Sequence, residues 1–273
     1  MPITFSNKPA LVAYLTCGDP DLRTTREVAL AAIQAGAEVI ELGVPFSDPV
    51  ADGPVIQRAS ERALRKGISL EQVLKLAQDI RKESNAGLIV FSYLNPIMRM
   101  GLQRFVDEAT KAGVDGALIT DLPVEESDEY LRFMRKRNLA TVFLAAPTST
   151  DERLKRIAEA STGFIYAISR TGITGARKDL AQDAQQLVKR LRKFTNLPIA
   201  VGFGIASAEH FAAVGKFADA AAVGSAIVHT IEQNPGKEAQ AVAEFIEQLS
   251  AVSRQPSAIR KTGNRAPRVA GAD

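Results

Sequence analysis

The feature that most constrains the fold is a regular alternation of short apolar runs with longer amphipathic segments along the chain. The apolar runs are nearly continuous, which is typical of strands buried on both faces of a parallel sheet. Each run is followed by a segment with helical periodicity, so the chain is built from βα units. The predicted strands are Leu11–Leu15, Val39–Leu42, Leu88–Ser92, Ala117–Thr120, Thr141–Ala145, Phe164–Ile168, Ile199–Gly202 and Ala220–Val223.

Eight βα units in 273 residues predict an α/β fold with a parallel sheet. No long Pro/Gly-rich linker separates the units, so we favour a single-domain (β/α)8 TIM barrel over residues 1–253. A doubly wound open sheet would show much the same local pattern. The similar segments AGAE at 35–38 and AGVD at 112–115 form a weak internal repeat before strands two and four, and FAD at 217–219 repeats it loosely before strand eight. Ser69 and Gln72 predict a capping box for a helix over 70–82.

The distribution of charge argues against a nucleic-acid partner. The net charge is +3, but five of the 34 basic residues and only one of the 31 acidic residues lie in 254–273. The rest of the chain therefore carries 29 basic and 30 acidic residues and is close to neutral. Residues 254–273 are predicted to be a basic, disordered C-terminal tail without an assigned function.

Composition also excludes several classes of protein. No apolar run approaches the roughly 20 residues of a membrane helix, and the first residues lack the order of a secretory signal. Cys17 is the only cysteine, so an internal disulfide and a cysteine-based zinc site are excluded. We expect a cytoplasmic protein with no membrane partner. The sequence contains no metal-binding cluster, Walker motif or dinucleotide fingerprint, so no metal or cofactor is expected in this chain.

Two carboxylates near the end of the second predicted strand are candidates for acid–base chemistry. Glu41 interrupts an apolar run, and Asp52 follows in a loop rich in glycine and proline. A buried glutamate tends to have a raised pKa, as a general acid or base near neutral pH requires. A structural glutamate paired with backbone amides or a cation is the alternative.

Glycine-bearing turns follow the last three predicted strands: SRTGITG at 169–175, GFG at 202–204 and GSA at 224–226. Such turns and a helix N-terminus present free backbone N–H groups, which suit a phosphate dianion. Tight packing is the alternative. The polar stretch at 172–175 could close as a lid, with Arg170 and Thr174 as its polar groups.

Other candidate residues have weaker patterns. His210 and His229 fall in helical segments away from strand ends and are predicted to be surface or packing residues, and Cys17 a packing residue. Residues near strand ends could line a pocket for a flat aromatic ligand, although core packing fits most of them equally well. They are Tyr14, Phe91, Tyr93, Leu118, Tyr166 and Phe203.

The segment ELGVPFSDPVADGP at 41–54 closely resembles the signature of tryptophan synthase α chains. Further matches occur in the order of that family and extend the resemblance over about residues 10–250. They are LTCGDP at 15–20, DLPVEE at 121–126, SRTGITG at 169–175, GFG at 202–204 and GSAIV at 224–228. The resemblance departs at the ends, with only nine residues before the first predicted strand and the basic tail after 254. The helix that often covers the amino-terminal mouth of the barrel is therefore expected to be shortened or missing.

The resemblance implies a lyase that splits indole-3-glycerol phosphate into indole and glyceraldehyde 3-phosphate in tryptophan biosynthesis. Glu41 and Asp52 would be the two catalytic carboxylates, and Thr174 the lid threonine that hydrogen-bonds Asp52. The implied substrate-binding residues are Tyr14, Phe91, Leu118, Tyr166, Thr174 and Phe203. The implied phosphate-binding residues are Gly175, Gly204, Gly224 and Ser225.

The resemblance also implies a partner, a β subunit that carries pyridoxal phosphate and joins this chain in an α2β2 heterotetramer. Asp48, Pro49 and the segment 93–101 are candidates for the contact. Three alternatives share some of these features: a freestanding indole-producing lyase, a sugar-phosphate isomerase on the same barrel, and a regulatory subunit without chemistry. The presence of both Glu41 and Asp52 argues against the regulatory subunit.

Overall fold

Eight parallel strands close into a barrel in the computed structural model, which describes residues 3–168, 177–202 and 204–251. The strand order follows the chain, and the first strand pairs with the second and the eighth. The closed ring confirms the predicted TIM barrel and excludes the open sheet. The strands are β1 (Ala10–Thr16), β2 (Ala37–Gly43), β3 (Gly87–Ser92), β4 (Gly116–Ile119), β5 (Ala140–Ala145), β6 (Ile165–Ile168), β7 (Ile199–Gly202) and β8 (Ala220–Val223).

Helices connect the strands and pack against the outer face of the barrel. A short 3₁₀ helix at Val124–Glu126 precedes the sixth α-helix. The α-helices are α1 (Leu22–Ala35), α2 (Pro54–Arg65), α3 (Leu70–Arg81), α4 (Leu94–Met100), α5 (Leu102–Lys111), α6 (Asp128–Lys136), α7 (Asp151–Ala160), α8 (Arg177–Leu191), α9 (Ala208–Val214), α10 (Ser225–Gln233) and α11 (Glu238–Ala251).

The predicted strands agree with the observed ones to within two residues at each end. The largest difference is in β2, which begins at Ala37 because this small residue already pairs with Leu11 of β1. Thr120 and Phe164, predicted as strand residues, each lie one residue outside. The capping box of α3 is confirmed, since Gln72 Oε1 accepts a hydrogen bond from the Ser69 N–H at 3.0 Å.

Alternate residues of each strand face two different apolar layers. In β1, Leu11 and Ala13 pack with the helices, whereas Ala10 and Val12 belong to a separate cluster. Every strand except β6 contributes a buried residue to this cluster, Phe164 contributes from just before β6, and no described helix contributes. This second cluster fills the barrel interior, as the alternation of side chains along a strand requires. It consists of Ile3, Ala10, Val12, Val39, Ile89, Leu118, Ala140, Val142, Phe164, Ala200, Ala220 and Ala222.

The weak repeat in the sequence places carboxylates at the amino-terminal ends of strands. Asp115, before β4, accepts hydrogen bonds from the Leu88 N–H of β3 at 2.8 Å and from Arg81 at 2.6 Å. Asp219, before β8, accepts from the Ile199 N–H of β7 at 2.8 Å and from Arg192. The arginine stands seven residues before the N–H donor in both cases. We call these two arrangements the strand-start clamps.

Residues 3–9 cover the amino-terminal mouth of the barrel without forming a helix. Ile3 is buried in the interior cluster, and the Phe5 ring contacts Phe164 with 5.8 Å between centroids. Glu38 accepts hydrogen bonds from the backbone N–H groups of this segment, including that of Asn7 at 2.9 Å. The covering helix was expected to be shortened or missing, and the described residues 3–9 contain none.

We expect Gly116→Ala to destabilise the barrel. A Cβ at this position would lie 2.4 Å from the carbonyl oxygen and 2.8 Å from the Cβ of Ala140 on the neighbouring strand. Because backbone cannot move aside cheaply, the free energy of unfolding should fall by about 1–3 kcal/mol in urea titrations. Gly53→Ala is the matched control, since its Cβ would meet no other described residue within 4 Å, and should cost at most about 1 kcal/mol. Equal losses in the two variants would contradict this explanation.

Candidate active site

Five of the predicted site residues come together on β1, β2, β3, β4 and β6. Tyr14 and Glu41 are register partners on adjacent strands, as are Phe91 and Leu118. The Tyr14 and Phe91 rings pack edge to face, with 5.1 Å between centroids. Tyr166 of β6 packs with the interior cluster from the other side. The barrel thus brings Glu41 together with Tyr14, Phe91, Leu118 and Tyr166, four of the predicted pocket residues.

Glu41 is fully buried at the centre of this group. Among the described residues, neither of its carboxylate oxygens has a hydrogen-bond partner. Removal from water disfavours the charged form, and burial raises the pKa of Glu41 to about 8. Burial also raises the pKa of Tyr14 and Tyr166, to which the charge of Glu41 contributes. The alternative of a structural glutamate satisfied by amides or a cation has no support in the described part of the chain.

Asp52 lies in the loop between β2 and α2, which is folded by its own hydrogen bonds. The Asp52 N–H donates to the Pro49 carbonyl at 3.0 Å, and Gln57 Nε2 donates to the Asp52 carbonyl at 2.9 Å. The side-chain Oδ2 accepts from the Tyr93 hydroxyl at 3.1 Å. Burial raises the pKa of Asp52 to about 6, although the Tyr93 hydrogen bond acts in the opposite direction. The contact with Tyr93 was not foreseen from the sequence.

Two strand glycines make room for the tyrosines of the site. A Cβ on Gly43 would lie 2.3 Å from the Tyr14 hydroxyl oxygen, and one on Gly202 would lie 2.4 Å from that of Tyr166. Each tyrosine therefore lies over a glycine of the neighbouring strand, where any larger residue would displace it. Gly202 is also the first residue of a predicted phosphate-binding turn. Its lack of a side chain leaves the space that the Tyr166 ring occupies.

Three of the four predicted phosphate-binding residues are described. Gly204 follows β7 with a φ of +45°, and apart from its chain neighbours no described residue has an atom within 4 Å of where its Cβ would be. Gly224 follows β8 as the N-cap of α10, and the exposed Ser225 is the first residue of that helix. These residues present backbone at the same end of the barrel as Glu41. Gly175, Thr174 and Phe203 lie outside the described residues.

An ionic network on the outside of the site was also missed by the sequence analysis. Arg62 of α2 binds both carboxylate oxygens of the buried Asp19 at 2.8 Å and one oxygen of Glu232 of α10 at 2.8 Å. Arg58 reaches the other Glu232 oxygen at 2.9 Å, and hydrogen bonding from Arg58 lowers the pKa of Glu232 to about 2. The network therefore links three segments to one another: the loop after β1, helix α2 after the Asp52 loop, and helix α10, which begins at Ser225.

Cys17 and His229 lie in packing and helical positions, as predicted. Cys17 is buried among apolar residues, and burial raises the pKa of its thiol. His229 lies 3.6 Å from Glu232 and is not at a strand end.

No group of three or more His, Cys, Asp or Glu suited to a metal ion occurs within 3–168, 177–202 and 204–251. In those same ranges, no helix has the length and apolar character to cross a membrane.

The buried Glu41 predicts a particular dependence of stability on pH. Its pKa is about 8 in the folded protein, against 4.5 for an ordinary glutamate. Between these values the folded state holds a proton that the unfolded state has released, so the free energy of unfolding falls as pH rises from about 5 to 8. Glu41→Gln should flatten this decline and gain stability relative to the wild type at pH 8 but not at pH 4. Urea unfolding across this range measures the effect, and parallel curves for the two proteins would contradict it.

The sequence and the structure both match proteins of one family. A family model described as tryptophan synthase alpha chain matches residues 3–256. The tryptophan synthase alpha chain of Solibacter usitatus is 52% identical to this chain, covering 84% of it and 85% of the relative. That of Neisseria meningitidis serogroup B is 46% identical, covering 88% and 92%.

A solved structure gives the same result. It is that of a mutant tryptophan synthase alpha-subunit from the hyperthermophile Pyrococcus furiosus, and it superposes with a TM-score of 0.83 at 38% identity. The match covers 89% of this chain and 98% of that one. The chain therefore belongs to the tryptophan synthase alpha chain family.

Proposed function

We propose that this protein splits indole-3-glycerol phosphate by retro-aldol cleavage into indole and glyceraldehyde 3-phosphate, as the α subunit of tryptophan synthase. Membership of the family supports the reaction. The observation that carries the proposal is Glu41, a buried carboxyl group without a partner in the described residues and with a pKa of about 8. Such a group is costly for the fold and suited to donating a proton near neutral pH.

The two carboxylates have pKa values that separate their roles. With a pKa of about 8, Glu41 is mainly protonated at pH 7, whereas Asp52, with a pKa of about 6, is mainly ionised. Glu41 therefore serves as the acid that protonates C3 of the indole ring. Asp52 accepts the indole N–H as positive charge develops on that nitrogen.

In the cleavage step, Glu41 recovers a proton in place of the one that it gave to C3. After giving its proton to C3, the Glu41 carboxylate takes the proton of the hydroxyl on the carbon attached to C3. That carbon becomes the aldehyde carbon as its bond to C3 breaks, and the bonding electrons return to the indole ring. Glu41 ends the reaction protonated, ready for another turnover.

The remaining site residues hold the two ends of the substrate. Tyr14, Phe91, Leu118 and Tyr166 offer apolar surfaces beside Glu41 for the indole ring, together with Phe203. Gly204, Gly224, Ser225 and Gly175 hold the phosphate through backbone N–H groups, supported by the position of the α10 N-terminus. Thr174 hydrogen-bonds Asp52 when the lid closes. Anchoring the phosphate away from the reacting bond orients the substrate.

The proposed partner is a β subunit that carries pyridoxal phosphate and joins this chain in an α2β2 heterotetramer. Among the described residues, the exposed large apolar side chains are Val50, with 87% of its surface accessible, and Met98, with 57%. Val50 follows the candidate contacts Asp48 and Pro49, and Met98 lies in the candidate segment 93–101. Exposed apolar side chains in these two segments fit a surface that is covered in a complex.

The proposal extends to domain organisation and location. Residues 1–253 form one barrel domain, and 254–273 are a basic tail with no part in the reaction. The match of the family model to residues 3–256 is consistent with this division. The protein acts in the cytoplasm, where its single buried cysteine needs no oxidising compartment.

The first test is indole release from indole-3-glycerol phosphate, with and without a matching β subunit. We expect slow release by the isolated chain and strong acceleration on adding the partner. Fast release alone, unchanged by the partner, would instead identify a freestanding lyase. No release under either condition would overturn the proposed reaction.

Glu41→Gln tests the role of the acid. The amide keeps the shape of the side chain but cannot donate and recover a proton, so cleavage should be abolished while substrate binding, measured by calorimetry, is preserved. The matched control is Glu38→Gln, the same substitution on β2 but at the opposite end of the barrel, where Glu38 binds residues 6 and 7. It should retain turnover. Normal turnover in Glu41→Gln would exclude Glu41 as the catalytic acid.

A further inference from the structure

The hydroxyl of Tyr93 lies between two residues of the loop that carries Asp52. The Ala51 N–H donates to the Tyr93 Oη at 3.0 Å, and Tyr93 donates to Asp52 Oδ2 at 3.1 Å. Tyr93 follows β3 directly and is the N-cap of α4, so the contact joins two consecutive loops of the barrel. With 3% of its surface accessible, Tyr93 is shielded from competing water.

The polarity of this pair of hydrogen bonds is fixed. A backbone N–H can only donate, so Ala51 occupies an acceptor position of the phenol oxygen and the phenol proton is directed to Asp52. Burial raises the pKa of Tyr93, so the hydroxyl keeps its proton in the working range of the protein. Tyr93 therefore offers Asp52 one permanent donor.

Both partners are held in place by other contacts. The Phe46 ring packs on Tyr93 with 4.9 Å between centroids and 31° between planes. The backbone of Asp52 is fixed through Pro49 and Gln57. Because neither end of the contact is free to move, the hydrogen bond sets the direction in which the carboxylate faces.

We infer that Tyr93 is a positioning residue for Asp52: its hydroxyl holds Oδ2 and leaves Oδ1 to accept the indole N–H. This inference rests on the proposed function, in which Asp52 faces that group. A hydrogen bond to the charged form also favours ionisation, so Tyr93 keeps Asp52 an anion at a pH where its burial alone would protonate it.

The surroundings of Asp52 limit what else could titrate with it. Among the described residues, the titratable groups that face Asp52 are Tyr93 and Tyr14. Asp121 approaches Tyr93 from the loop after β4, where its Oδ1 accepts the Leu94 N–H at 2.6 Å. Removing the Tyr93 hydroxyl therefore removes one hydrogen-bond donor that contacts Asp52 directly.

Tyr93→Phe is the test, because it removes the hydroxyl and keeps the ring that packs on Phe46. In the ligand-free protein, the pKa of Asp52 should rise, as measured by ¹³C NMR titration of carboxyl signals with Asp52→Asn to assign the resonance. In steady-state kinetics with the β subunit present, kcat should fall about 10- to 100-fold, as for loss of a hydrogen bond to a charged group. KM should change little, and the acidic limb of the pH profile should move to higher pH.

Tyr130→Phe is the matched control. The buried Tyr130 hydroxyl donates to the Ala117 carbonyl at 3.1 Å, away from the Asp52 loop. This variant loses the same atom from the same residue type, so it reports any general cost to stability. We expect it to keep the wild-type pH profile and the wild-type pKa of Asp52.

A second variant covers the case in which Tyr93→Phe does not fold. Incorporation of 3-fluorotyrosine at position 93 keeps the hydroxyl and makes it a stronger donor, so the pKa of Asp52 should fall. An unchanged Asp52 pKa in the folded variants would overturn the inference. The NMR titration needs no turnover, so it still tests the Tyr93–Asp52 contact if wild-type protein releases no indole and the proposed function fails.

Discussion

The limited space inside a closed ring of eight parallel strands governs the rest of this structure. Each strand directs alternate side chains inward, and those side chains must share one narrow interior. The two tyrosines of the site fit this interior because each has a glycine as its neighbour. Tyr14 lies over Gly43, and Tyr166 lies over Gly202. At the level of these tyrosines, the same enclosure keeps Glu41 from water.

Enclosure also explains why two carboxylates on one segment differ in acidity. Glu41 belongs to a strand and faces the interior, so burial acts on it without a described hydrogen bond to offset it. Asp52 belongs to the following loop, is less enclosed, and has a phenol donor. The difference in pKa thus follows from position along β2 and its loop. In the proposed mechanism this difference assigns the acid and the anion.

Features that involve residues close together in the sequence could be predicted, whereas contacts between residues far apart in the sequence could not. Strand positions and the capping box of α3 are local patterns, and they were predicted closely. Glu41 could be found because it breaks an apolar run. The Tyr93–Asp52 contact spans 41 positions and the Arg62–Glu232 contact 170, and no local pattern indicates either. A tyrosine directly after a strand was the only signal for the first, and it was interpreted as part of a pocket wall.

The strand-start clamps have a consequence for the symmetry of the barrel. Arg81 with Asp115 and Arg192 with Asp219 use the same spacing and the same donors, and they stand four strands apart. The clamp at β3 and β4 therefore has a counterpart at β7 and β8, on the opposite side of the ring. The chemistry does not share this relation. Both proposed catalytic carboxylates come from the first four βα units and the described residues proposed to bind phosphate from the last four, so the two halves of the ring share the clamp while each holds a different part of the proposed site.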